Sequence, residues 1–589
     1  MRGKTLLASF VTLMFMGGFV FTTFVAAALA SRQDSAPMAL LLATGFTVAW
    51  AFLSWLVSPW IMDLSQRWLY SAKNMTLDEL RAERPAVADF VERVCQKHGI
   101  RTPRLKFIDD LTPQAYCYGS HGNNARLVTT RGLLHYLDDE ELKAVYGHEL
   151  GHIIHRDFIV MTLAATLLNI LWTLYVVAKN IRGKNNSRPA MPLALVALLF
   201  WWVSQYLLMY LSRTREYYAD EFAAEETGNP NALSLALVKI AYGISRLEKT
   251  PFTEKFLGGT RALGIADPKS AASTGFAFHV ANSAPATPAP AYAAQGSAAV
   301  ALPMPDLDAA SSSVAVSLEG VRRIEKVMLF DLYNPWATVN ELSSTHPLTG
   351  KRIRALGEQA SHQGQRPLLS LDKVDMYGRE LDMQRMYGTF FLELAVYFAP
   401  QLLGVLFPLA ALASLILGHA GLSGALLALT VFGIGLGMTL KGFYSFGATG
   451  EAQASTVLEL MSDPYASPLK GRPVMLEGTV VGRSDAGNKL DEDMTLEDNG
   501  GGLIRLNYES PFGPLGNWWF AARRVGKLSQ QRVHVVGWFR RGVSQQVDLK
   551  RVRTEAGEDI SSWTGLWGRA GGVVVLLVGL VIGVLALAS

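Results

Sequence analysis

Seven stretches of this chain contain no charged side chain: Thr5 to Ala30, Pro37 to Met62, Phe158 to Ala178, Pro189 to Ser212, Leu394 to Gly418, Leu422 to Leu440 and Ala570 to Ser589. A helix of ~20 apolar residues, rising ~1.5 Å per residue, crosses a ~30 Å hydrocarbon layer, and each run reaches or approaches that length. The runs therefore predict seven membrane spans, in line with a composition that is 50% hydrophobic over 589 residues. The first run follows Arg2 and Lys4 and ends at Ala28-Leu29-Ala30, as a secretory leader does. Its apolar stretch exceeds the ~7–15 residues of a leader core, so it reads as an uncleaved span. The two cysteines, Cys95 and Cys117, provide neither a disulfide framework nor a cysteine-rich metal site, so any metal site must use histidines and carboxylates. A net charge of +4 on so long a chain argues neither for nor against a nucleic-acid partner.

Between the spans the character changes. Asp63 to Arg156 reads as a mixed soluble region with a helix near Thr76 to Gly99 and strands at Arg104 to Ile108 and Arg126 to Thr130. Asp138-Asp139-Glu140 marks the start of a helix expected to run to about Asp157 and to lead straight into the third span, its acidic residues complementing the helix dipole. The third and fourth spans form a hairpin, from which the chain re-emerges at Arg213 into a second polar helix, Thr214 to about Arg246. Two crossings return a chain to the side it left, so the first polar helix and the Arg215-Glu216 segment share one membrane face. Ile265 to Val316 is Ala/Ser/Pro-rich, with too little bulky apolar content for its own core, and reads as a mobile insert. Structure resumes over Leu318 to Leu356. After the sixth span, Val474 to Val481, Leu503 to Tyr508 and Arg532 to Phe539 alternate as strands between Gly/Asp/Asn turns, which suggests a small OB-like β-barrel.

The chemistry gathers at His148-Glu149-Leu150-Gly151-His152. Histidines four apart project from one helix face about a turn from each other, close enough to share one zinc ion. Glu149 lies ~100° round the helix, where it can reach a metal-bound water without ligating, as a general base must. A catalytic zinc needs a third protein ligand and one open position. His155 lies on nearly the same face as His148 but ~10 Å further along the axis, too far for three histidines of one straight helix to surround one ion. Glu216 is the stronger candidate, since the hairpin returns it to the right face. Asp220, one turn further on, is placed to accept the other ring N–H of a ligand histidine. Glu221, Glu225 and Glu226 read as solvated.

Together these residues resemble the HtpX-like and CAAX prenyl endopeptidase family of membrane zinc proteases, which carry a His-Glu-x-x-His helix and a later Glu-x-x-x-Asp helix flanking a membrane hairpin. The resemblance covers roughly Pro85 to Leu356 and includes Gly132-Leu133-Leu134, Asp139 to Leu142, Ser343 to Pro347 and Lys351 to Ile353. It implies that Glu216 is the third zinc ligand, that Asp220 supports a ligand histidine, and that His346 lies near the site, where a donor would stabilise a tetrahedral oxyanion. Arg352 would help hold that segment. The family usually has an Asn in the turn before its substrate-binding edge strand, whereas this chain has Gln114 ahead of Ala115 to Gly119, a strand that an extended peptide would join by β-addition.

The expected protein is thus an α-helical polytopic membrane protein with a mainly α, zincin-like metalloprotease domain, one Zn²⁺ per chain, and a small C-terminal barrel. The expected division is two spans in 1–62, the protease domain in 63–356 with its hairpin at 158–212 and insert at 265–316, and a connector at 357–393. A second hairpin at 394–440, the barrel at 444–569 and a last span at 570–589 complete it. The implied activity is hydrolysis of peptide bonds in protein or peptide substrates, membrane proteins among them, in membrane protein quality control. Cations at Arg2, Lys4, Arg67, Lys73, Arg156, Arg213, Arg215, Lys441 and Arg569 place the site and barrel on the cytoplasmic face of a bacterial inner membrane, while Lys179, Arg182, Lys184 and Arg188 fall on the opposite side. A rival reading is a non-catalytic scaffold with a structural zinc site and a partner-recruiting barrel. Nucleic-acid binding through Arg523, Arg524, Arg540, Arg541, Lys550, Arg551 and Arg553 is not expected, because basic residues beside a membrane more often meet headgroups or solvent.

Overall fold

A computed structural model of the chain describes residues 13–20, 36–180, 190–246, 256, 264–265, 318–342, 344–368, 371–450, 452–484, 491–542 and 545–588. Most of the first expected span and all of the Ala/Ser/Pro-rich insert except Ile265 lie outside these residues. The second expected span lies on α1 (Ala36–Tyr70), 35 residues long. Among the described residues, five helices are long and apolar enough to cross a membrane. They are α6 (Asp157–Asn180), α7 (Met191–Thr227), α13 (Met383–Ile416), α14 (Ala420–Ser445) and α17 (Thr564–Ala588).

The chain leaves α1 through β1 (Lys73–Met75) into α2 (Leu77–Glu83) and α3 (Pro85–Lys97). The single helix expected over Thr76 to Gly99 is two, because Pro85 starts a new helix at its first position and the preceding residue is driven out of the helical region. Strands β2 (Arg104–Ile108), β3 (Ala115–Gly119) and β4 (Ala125–Thr130) follow, in the sheet order β1-β2-β4-β3. β3 runs antiparallel to β4 and forms one edge. All its residues are buried because both faces are covered. Tyr116 and Tyr118 reach Gln66 and Asp63 at the end of α1, while Ala115 and Cys117 join the core beneath α5 (Asp139–Ile154). α4 (Arg131–Tyr136) connects β4 to α5.

Two expectations for the helices around the membrane are corrected. The motif helix does not run on into the third span: α5 stops at Ile154, Arg156 adopts a left-handed φ of 60°, and α6 starts afresh at Asp157. After the hairpin there is no separate helix from Thr214 to Arg246. α7 continues unbroken for 37 residues, roughly 55 Å, to Gly228 in the left-handed conformation, and α8 (Pro230–Arg246) follows. Because α7 is much longer than a bilayer is thick, its last turns project beyond the span carrying Glu216 and Asp220.

Beyond the insert come α9 (Leu318–Tyr333), α10 (Pro335–Leu342), α11 (Thr349–His362) and α12 (Leu371–Arg379), then the hairpin of α13 and α14. The remainder comprises β5 (Gln453–Ala454), α15 (Val457–Met461), β6 (Arg472–Arg483), β7 (Met494–Asp498), β8 (Leu503–Asn507), α16 (Gly513–Phe520), β9 (Arg532–Arg541), β10 (Gln545–Thr554) and β11 (Asp559–Ser561). β6 pairs with β7, β7 with β8, β8 in parallel with β10, β10 with β9, and β9 back with β6. The five strands close into the small barrel expected, and closure removes the exposed edges of an open sheet.

The barrel does not stand apart from the preceding helices. Its core is continuous with Val327, Phe330, Trp336 and Ala337 of α9 and α10. Arg541 of β9 donates to the Val327 carbonyl at 3.0 Å, and Arg540 pairs with Asp548. Both arginines are buried, so two of the seven cations considered for nucleic acid are interior groups. Glu393 of α13 joins the parts, accepting hydrogen bonds of 2.8 Å from both Trp336 Nε1 and Ser467 Oγ.

α14 and α17 pack backbone to backbone. A Cβ at Gly435 would lie 2.2 Å from the Leu576 amide nitrogen, whereas one at Gly421 would meet nothing within 4 Å. In lipid, helices associate through such close contacts between small residues. Gly435→Ala is therefore expected to destabilise the detergent-purified chain by about 2 kcal/mol, with Gly421→Ala neutral or stabilising. Thermal unfolding followed by circular dichroism checks this, and equal effects at the two positions would refute it.

Candidate active site

α5 begins at a capping box, in which the Asp138 carboxylate accepts from the Glu141 backbone N–H and the Glu141 carboxylate accepts from the Asp138 backbone N–H. Glu141 also pairs with buried Lys239 of α8 at 2.6 Å, which fixes the rotation of α5. Gly151 sits against α7. A Cβ there would stand 3.2 Å from the Ala219 Cα, tighter than ordinary contact, so the missing side chain is what lets α7 approach closely enough to present Glu216 to the two histidines.

Three ligand atoms converge there: one each from His148, His152 and Glu216 lie within 4.8 Å of one another. The two Nε2 atoms are 3.2 Å apart. Glu216 Oε2 is 3.6 Å from His148 Nε2, and Oε1 is 3.5 Å from His152 Nε2. Tetrahedral zinc with ~2.0–2.1 Å bonds sets its ligand atoms ~3.3–3.4 Å apart, close to these separations. Glu216 Oε2 has the Arg352 guanidinium 3.6 Å away but no hydrogen bond, and Glu149 Oε2 is buried without one, a costly arrangement in an apolar interior that a further cation or water would relieve. Burial opposes charging of His148, yet the Asp220 and Glu216 carboxylates outweigh it and lift the imidazole to about 9. The pocket thus favours positive charge where the ion would sit. These residues fit a zinc ion.

Each histidine is held from behind by a carboxylate. Asp220 Oδ1 lies 2.9 Å from His148 Nδ1, and Asp157 Oδ2 lies 2.6 Å from His152 Nδ1. Arg352 holds Asp220 with Nε at 2.8 Å and Nη2 at 2.6 Å, and Arg215 holds Asp157. Such partners fix the tautomer so that both Nε2 atoms face the ion. Asp157 and Arg215 escaped sequence reasoning as site residues. Five residues beyond His152 on a straight helix, Asp157 would point away, and only the turn at Arg156 brings it back.

His346 lies in the loop between α10 and α11. Its Nε2 is 3.7 Å from Glu216 Oε1, and the ring is buried. Arg213 anchors that loop by donating to the carbonyls of Glu341 and Ser344 at 2.6 and 2.8 Å. His155 lies outside the three-residue cluster, its ring edge-on to Phe222 at 5.6 Å. Burial pushes the Glu149 carboxyl above its usual range, and the Glu149 carbonyl accepts a 3.5 Å contact from Cys117 Sγ of β3. β3, the edge strand of the sheet, therefore packs against the motif helix. At one end of that edge the Ile265 amide donates to the Ala115 carbonyl at 3.2 Å. Gln114 is wholly buried ahead of β3, its backbone N–H donating to Thr130 Oγ1 at 3.0 Å.

The family model described as peptidase family M48 matches residues 81–360. A protease HtpX homolog of Methanothermobacter thermautotrophicus is 33% identical over 198 residues, covering 34% of this chain and 72% of that protein. The chain belongs to peptidase family M48. Further HtpX homologs are similar to this M48 chain: that of Pyrococcus abyssi at 32% over 207 residues, and that of Paenarthrobacter aurescens at 35% over 189. Alignment covers 69% and 64% of their lengths, and about a third of this chain. The crystal structure of S. mikatae Ste24p matches with a TM-score of 0.26 and 18% identity, over 40% of this chain and 57% of that one. The M48 match and the five apolar helices make the chain an integral, multi-pass membrane protein. The match ends before α13, so the second hairpin, the barrel and α17 lie beyond it.

Proposed function

We propose that this chain is a membrane zinc endopeptidase whose protease domain, zincin-like and spanning 63–356, hydrolyses peptide bonds of protein substrates in membrane quality control. The observation that carries the reading is the convergence of His148, His152 and Glu216 beside the buried Glu149 carboxylate, whose Oε2 has no hydrogen-bond partner. Zinc held by those three residues would supply Lewis acidity and a water acidic enough to lose its proton near neutral pH. Glu149 accepts that proton and returns it to the leaving amine. His346 donates to the developing oxyanion, and Asp220 and Asp157 keep the two histidines in the ligating tautomer. The substrate extends along the β3 edge, where main-chain hydrogen bonds place its scissile bond over the motif helix. Glu149 is buried with one carboxylate oxygen unbonded and no salt-bridge partner among the described residues to occupy it, which favours catalysis over a purely structural metal. The hairpin of α6 and α7 returns the chain to one membrane face, and the flanking cations make that face cytoplasmic in a bacterial inner membrane.

Metal removal tests this directly. Purified chain is expected to hold about one zinc, to lose proteolysis on chelation and to regain it with zinc, while Glu216→Ala loses most of the bound metal. Chelator-resistant proteolysis, or full zinc occupancy in Glu216→Ala, would overturn the assignment.

A further inference from the structure

From Ser510 to Ala522 the barrel carries thirteen residues without a charge, four of them large and aromatic. They form α16 and its approach, between β8 and β9. The outward face is strongly apolar: Phe512 and Leu515 are each 80% exposed, Trp518 54% and Trp519 52%. Their spacing of three, three or four, along one side of a helix makes a stripe.

The opposite side is firmly fixed to the barrel. Phe520 stacks on Tyr508 with ring centroids 3.7 Å apart, and Asn517 accepts from the Ser510 amide at 2.7 Å while donating to Glu509 and Glu492. The aromatic face is therefore held outward by a rigid mount. Beyond Trp519 the same exposed surface continues through Ala522 to Arg523 and Lys527, so an apolar strip ends in cations.

Its position identifies the partner. Trp567, in the first turns of α17, donates from Nε1 to the Ser510 carbonyl at 2.7 Å, and the Trp563 amide donates to the Glu509 carbonyl at 2.7 Å. Trp563, Leu566 and Trp567 are themselves 41–50% exposed where α17 begins. The strip is thus continuous with the end of a membrane span. Trp-rich, apolar surface flanked by cations, at the level where a span enters the bilayer, has the chemistry of the headgroup boundary.

We propose that α16 is an interfacial anchor: Phe512, Leu515, Trp518 and Trp519 insert into the headgroup–acyl boundary of the bilayer that α17 crosses, with Arg523 and Lys527 on lipid phosphates. The anchor ties the barrel to the membrane at a third point, besides its two flanking spans. Because α9 and α10 share the barrel core, it also sets the height of the His346 loop above the bilayer.

The test uses the full chain reconstituted in phosphatidylcholine–phosphatidylglycerol vesicles, with a nitroxide on Leu515→Cys and, separately, on Trp519→Cys. Asn499→Cys, in the turn at the opposite end of β8, is the aqueous reference. Native Cys95 and Cys117 are buried and leave the labelling site-specific. Both α16 labels are expected to be several-fold more accessible to oxygen than to an aqueous nickel chelate, relative to Asn499→Cys, at a depth of roughly 5–10 Å. Nickel accessibility matching the reference overturns the proposal. So does protection from both reagents with spin–spin broadening, which would mean that a second copy or another protein covers this face.

Discussion

Glu149→Gln should lower proteolysis by the purified chain about 10²–10⁴-fold, the range a positioned general base contributes, while zinc content stays at the wild-type level. In barrier terms this is roughly 3–5 kcal/mol. The substitution keeps the size and shape of the side chain and removes its capacity to take a proton. Glu149 Oε2 has no hydrogen-bond partner, so the amide breaks no hydrogen bond at that oxygen. The ligands are other residues, His148 and His152 on α5 and Glu216 on α7, and the metal should be retained. Zinc analysis beside a turnover assay separates the outcomes. Lost activity with lost metal would make Glu149 a structural part of the site, and unchanged turnover would remove it from the reaction.

Asp220→Ala should be the most damaging change that touches neither water nor substrate. Asp220 receives two charge-assisted bonds from Arg352 and stands 2.9 Å from His148 Nδ1. Arg352 is 2% exposed. Removing its carboxylate leaves a guanidinium in the interior without that partner, at a cost of about 3–5 kcal/mol. The metal-free chain is therefore expected to unfold at markedly lower temperature. His148 also loses the group that orients it, and zinc affinity should fall ~10–100-fold by competition titration. The double variant Asp220→Ala/Arg352→Met distinguishes the two effects: stability should partly return, since the lone charge is gone, while affinity stays low. Recovery of both would show that Asp220 acts on the metal only through the fold.

Much of this site was legible beforehand because it depends on helical periodicity. The four-residue spacing of His148 and His152 places both rings on one face whatever surrounds them, and two membrane crossings return Glu216 to the same side by topology alone. β3 was expected as an edge strand only through the family resemblance, and the sheet order places it at an edge. Asp157 was not, since its role depends on a left-handed residue at Arg156, a non-glycine position with no local signature. Nor was the unbroken course of α7, because a change from apolar to charged residues marks where a helix leaves lipid without requiring it to end there.

The barrel divides in the same way. Alternation marked the central parts of β6, β8 and β9, while β7 and β10 have weaker patterns and take their place from pairing with neighbours. The cations at Arg540 and Arg541 looked like surface charge, and only tertiary packing turned them inward, against Asp548 and the carbonyls of α9 and elsewhere. Local order, membrane crossings and the two-histidine face were determined by the sequence itself, since they follow from periodicity and from the length of apolar runs. Which carboxylate stands behind which histidine, and that barrel and protease helices share a core, was decided by the tertiary structure, because those contacts join residues tens to hundreds of positions apart.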